Sequence, residues 1–98
     1  MASNFRIYVQ RNSNDLHIKL EGDFDGTSAH QLLNAMKENQ RGVTKIFIDT
    51  SLLDYIYPFG RDVFHNNLKA VDVQRISFLF TGDSALQPAQ EEGIRGMR

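Results

Sequence analysis

Hydrophobic residues recur along this chain with two different spacings. Phe5, Ile7 and Val9 alternate with Arg6, Tyr8 and Gln10, and Leu16, Ile18 and Leu20 alternate with His17, Lys19 and Glu21. A period of two is that of a strand with one buried face. The RNSND between them is rich in turn formers, which predicts a five-residue hairpin loop and two antiparallel neighbours. The glycines and acids of EGDFDG end the second strand. From Thr27 the period lengthens: Ala29, Leu32, Leu33 and Met36 stand at i, i+3, i+4 and i+7, the stripe of an amphipathic helix. Asp25 or Thr27 can cap its first turn, and Gly42 follows Arg41 where a left-handed stop residue is wanted.

Ile46, Phe47 and Ile48 are consecutive apolar positions, as in a central parallel strand covered on two faces. After them IDTSLLD leads into a loop, DYIYPFG, and a second helix. Pro58 marks its start, since a fixed φ and a missing N–H suit the first helical position. On a 100° wheel Gly60, Val63, Phe64, Asn67, Leu68 and Val71 share one broad stripe, with Pro58, Asp62, His65 and Lys69 opposite. Phe59 lies at the margin of the stripe, which favours a core-edge contact over an exposed anchor. Ile76, Phe78 and Phe80 form a last strand ending at Thr81, Gly82 and Asp83, and Pro88 leaves room for only a short final helix.

The order β-β-α-β-α-β-(short α) implies right-handed crossovers and a mixed four-stranded α/β sheet, its first strand antiparallel at one edge and its helices packed on the sheet. The 98 residues suit a single domain, 1–98, with 93–98 as a flexible tail. Eleven basic against twelve acidic residues, without a block of one sign, argue against nucleic acid as partner. No apolar run approaches the roughly 20 residues of a membrane span, so no direct membrane insertion is expected. The start MASNFRIYVQ shows no secretory signal, and the absence of cysteine removes thiolate chemistry; both suit a cytoplasmic protein.

Chemistry is sparse. His17, His30 and His65 have no short ligand spacing and read as solvated surface residues, with a metal or catalytic role as the alternative. No nucleophile elbow, HExxH pair or phosphate-binding glycine loop is present, so no enzyme activity and no cofactor are expected. Asp23, Asp25, Asp49 and Asp83 each follow a strand and can gather at the carboxyl edge of the sheet, where open α/β sheets bind ligands. Together they are able to hold Mg²⁺. The plainer reading makes Asp25 a helix cap and Asp49 and Asp83 turn residues, with no metal site.

Two stretches resemble one family. GDFDGTSAHQL is similar to the GxLDxxxAxxL signature of the sulphate transporter and anti-sigma factor antagonist (STAS) domain. IFIDTSLLDYIYPFGRDVFHNNL resembles its second signature, an apolar strand and a loop ending in DSSG before a helix. The spacing between them is family-like, and the resemblance covers Phe5 to Ser84. It implies a STAS-like (SpoIIaa-like) fold and a non-enzymatic binding module. In bacterial anti-sigma factor antagonists the loop and following helix dock onto an anti-sigma factor that is also a serine kinase, and phosphorylation of a DSSG serine breaks the complex. A phosphoryl group adds about −1.5 to −2 charge to a surface that must be desolvated.

DSSG falls on Tyr57, Pro58, Phe59 and Gly60, and only the glycine matches. Pro58 and Phe59 replace the serine, so no phosphorylation is expected at the motif position. The resemblance assigns partner binding to Asp23, Asp25, Tyr57, Pro58, Phe59, Gly60, Arg61, Asp62 and His65. Gly60, lacking Cβ on the buried stripe, is expected to let its helix come close to the sheet. The expected partner is a protein, an anti-sigma factor or serine-kinase-like chain. The alternatives are a STAS-like subunit of a larger membrane-associated transport complex, or a small-ligand or nucleotide binder using the edge near Asp23, Asp25 and Gly82.

Overall fold

The structure, a computed structural model, describes residues 4–71, 75–82 and 86. The short final helix, the tail and Asp83 lie outside them. Strands β1 (Arg6–Asn12) and β2 (Asp15–Phe24) form an antiparallel hairpin. Helix α1 (Gly26–Asn39) leads to β3 (Lys45–Ile56), parallel to β2. Helix α2 (Pro58–Asn67) and a 3-10 turn (Leu68–Ala70) lead to β4 (Ser77–Thr81), parallel to β3. The sheet order β1-β2-β3-β4 is the chain order.

That order decides where the helices go. Both crossovers step in the same direction across the sheet, so two crossovers of one hand put both helices on one face. Leu16, Ile18 and Leu20 of β2 and Ile46 and Ile48 of β3 are buried with Ala29, Leu32, Leu33 and Met36 of α1 and Phe64 of α2. Edge-to-face contacts run through this layer from Phe5 to Phe24, from Phe24 to Phe64 and from Phe64 to Phe80, with centroids 5.9, 6.4 and 6.4 Å apart. Such pairs add specificity to burial because ring edges meet ring faces.

The expectation of a central strand covered on both faces is corrected. Ile46 and Ile48 are buried, but Phe47 is only half-buried and stacks on His17 on the opposite face. Three consecutive apolar residues do not by themselves say what covers the second face. The hairpin turn is also tighter than expected: the strands continue to Asn12 and Asp15, leaving Ser13 and Asn14, with Ser13 at φ 57°. The second helix ends at Asn67 instead of continuing to Val71.

Phe64 is fully buried at the meeting point of α2, β2 and β4. Replacing it by Ala is expected to lower unfolding free energy by about 3–5 kcal/mol, read from the midpoint of urea unfolding at unchanged slope.

Candidate functional site

Both helices begin at the carboxyl ends of parallel strands. The expected loop between Asp49 and Pro58 is instead strand: β3 runs to Ile56, and Tyr57 alone joins it to α2. Tyr57 has φ −71° and ψ 137°, the extended geometry that a following proline imposes. Its N–H donates to the Phe24 carbonyl at 2.9 Å, and its carbonyl accepts the first helical bond from the Arg61 N–H at 3.0 Å. One bridging residue thus fixes both the end of the sheet and the direction of α2.

The two helix starts touch. A Cβ on Gly60 would lie 2.6 Å from the Asp25 carbonyl carbon and 2.8 Å from its Cα, so only glycine allows this approach. The surface approached is therefore the backbone just after β2, where α1 begins, and not a strand as the sequence suggested. Across the same contact, a Cβ on Gly26 would meet the Phe59 ring at 2.9 Å.

Phe59 nevertheless remains 70% exposed, which overturns the core-edge expectation. Its ring rests on Gly26 by one side and faces solvent by the other. Tyr57 is exposed as well, and its ring meets that of Tyr55 edge-to-face at 4.7 Å and 85°. Tyr55 was not anticipated. The signal was present in DYIY: two tyrosines two residues apart on an extended chain share a side, with the half-buried Ile56 on the other. Pro58 and Asp62 are exposed beside them, and Arg61 and Asp62 approach only to 3.9 Å, too solvated a pair to stiffen the surface.

His65 lies apart from this group. Its Nε2 donates to the Leu86 carbonyl at 2.8 Å, so it ties α2 to the buried Leu86. The reading of the histidines as solvated surface residues holds for the exposed His30 and His17 and not for His65. His17 is exposed but stacked on Phe47 at 4.6 Å and 9°.

The acids are mostly held by their own backbone. Asp25 caps α1, its Oδ1 accepting from the Ser28 N–H at 2.9 Å and the Ser28 Oγ at 3.0 Å. The Asp23 N–H donates to Asn4 Oδ1 at 3.2 Å, and its carbonyl accepts from the Ser28 hydroxyl at 3.1 Å. Asp49, expected at a turn, stands within β3 facing away from the helices. The Ser51 N–H at 2.9 Å, then the Ser51 hydroxyl, hold its carboxyl below the usual carboxylate range; Thr81 and the Lys19 charge add to this against partial burial. Among the described residues no three His, Asp or Glu side chains form a metal-binding group. A concavity of about 540 Å³ lies away from the Asp23–Asp25 edge, over His17 and Phe47 on the open side of the sheet.

This fold, two helices on one face of a sheet whose first strand is antiparallel, is that of the anti-sigma factor antagonists. SpoIIAA, an anti-sigma factor antagonist solved in its unphosphorylated form, matches with a TM-score of 0.60 at 15% identity, over 96% of this chain and 97% of that one. An anti-sigma factor antagonist from Mycobacterium paratuberculosis matches with a TM-score of 0.65 at 13% identity, over 96% of this chain and 80% of that one. The Mglu structure matches 78% of this chain with a TM-score of 0.68 at 16% identity, and the match spans only 19% of Mglu. No family model and no curated protein matches the sequence.

Two outcomes are expected from this geometry. Gly60→Ala forces the helix starts apart and should destabilise by about 1–3 kcal/mol in thermal or urea unfolding, against the small gain an exposed Gly→Ala change in a helix gives. Because the folded Asp49 carboxyl titrates below its ordinary value of 3.8, its stabilising effect is complete above that value and is lost as the pH falls through its lower folded value. The stability difference between the wild-type protein and Asp49→Asn should therefore be constant above about pH 5 and shrink in acid.

Proposed function

We propose that this chain is a non-enzymatic protein-interaction module of the anti-sigma factor antagonist kind, acting in the cytoplasm through the start of α2 and without a serine switch. The observation that carries this reading is Phe59, 70% exposed and seated against Gly26 at the helix start, with Tyr57 and Tyr55 exposed beside it. Large aromatic side chains on a rigid support are the usual centres of protein interfaces. Pro58 restrains the segment before any partner arrives, which reduces the entropy lost on docking. The partner this surface suits is a protein with an apolar cleft, an anti-sigma factor or serine-kinase-like chain. With Pro58 and Phe59 in place of hydroxyl residues, such a partner has no acceptor at the position where the DSSG serine would stand.

The test is capture of the partner from native cell extract, followed by binding measurements with Phe59→Ala, Tyr55→Ala and His65→Ala. The first two should weaken binding by about 2 kcal/mol or more with folding unchanged, whereas His65→Ala should act on stability. Unchanged affinity in both aromatic variants, or a regulatory phosphate found beside α2 in cell-derived protein, would sink the proposal.

A further inference from the structure

The face of the sheet away from the helices carries an arrangement that the docking edge does not use. Mostly parallel sheets are ordinarily covered on both faces, and here the second face is open among the described residues. The strand register places its side chains in rows. His17 of β2, Phe47 of β3 and Leu79 of β4 form one row across the sheet, through the pairs His17 with Phe47 and Phe47 with Leu79. Leu79 is 41% exposed. On one side of this row stand Lys19 and Asp49, paired across β2 and β3, and on the other stand Asp15 and Lys45, paired across the same two strands. Going round the apolar row the signs therefore alternate: Lys19 positive, Asp49 negative, Lys45 positive, Asp15 negative.

We infer that this face pairs with the same face of a second copy of the chain, about a two-fold axis lying along the His17, Phe47 and Leu79 row. Such an axis exchanges the rows on either side of it and keeps each strand opposite its own counterpart. Asp15 of each protomer then meets Lys19 of its partner, and Lys45 meets Asp49. Leu79 meets Leu79 and Phe47 meets Phe47. An isologous contact repeats every pair, so one complementary pattern supplies four opposite-charge contacts. The strands of the two sheets run nearly antiparallel, which is the aligned packing of twisted sheets. The concavity of about 540 Å³ over this face is lined by Lys19, His17, Phe47 and Asp49, so its floor belongs to the proposed contact.

Four strands about 4.8 Å apart and three rows about 6.8 Å apart cover roughly 400 Å² per protomer, or about 800 Å² in all. That is below the 1,200–2,000 Å² of standard stable interfaces, so the association is weak, concentration-dependent and sensitive to salt.

Sedimentation of the full chain from about 10 μM to 1 mM at low salt should show a monomer–dimer equilibrium. Leu79→Glu and Asp15→Lys should each weaken it about tenfold or more, since a buried charge or two like-charge contacts then face the partner. Asp15→Lys combined with Lys19→Asp restores the complementary pattern and should recover dimerisation. All of these positions are surface sites, and circular dichroism and unfolding midpoints show whether the variants fold. A monomer at 1 mM, or a dimer indifferent to both single substitutions, overturns the proposal. Recovery by Asp15→Lys with Lys45→Asp, but not with Lys19→Asp, overturns the axis, because that swap suits a two-fold parallel to the strands.

Discussion

The close approach of Gly60 to the Asp25 backbone is the contact on which the rest of this structure depends. It lets two helix starts lie against each other at the end of the sheet, where a side chain of any size would hold them apart. The Asp25 carboxylate caps the first of them and is a counter-charge to its positive dipole end. With the helix positions set, the aromatic chain Phe24, Phe64 and Phe80 closes the core beneath. The exposed rings above are held from below by the same contact.

A surface built in this way differs from a loop. Tyr57 is held by a sheet-like bond at one end and a helical bond at the other, and Pro58 fixes the dihedral between them. Phe59 projects from the first turn of a helix whose base cannot shift without moving α1. Rigid support of an exposed ring is what separates a docking anchor from a hydrophobic residue that happens to be wet.

The strands, both helices and the antiparallel first strand were legible in the sequence because each has a clean hydrophobic period. The boundaries were less so. Residues 51–56 read as a loop because the bulges between Lys19 and Glu21 and between Gly22 and Asp23 shift the pairing register with β2, and a broken period looks like no strand at all. Phe59 was misplaced since a helical wheel shows direction but not what lies there; Gly26, too small to cover the ring, decided its exposure. His65 gave no sign of its bond to Leu86, a contact between residues 21 apart. The motif positions aligned well, and the chemistry they carried was visible chiefly in what was missing from them.

The tight turn at Ser13 and Asn14 has a practical meaning. β2 runs from this turn to the docking edge, and ten extended residues put the two about 30 Å apart. The serine there holds a left-handed backbone that glycine or asparagine would adopt with less strain. A fluorophore or fused peptide grafted at that corner would ride at the far pole of the molecule, leaving the aromatic edge clear to meet whatever it recognises.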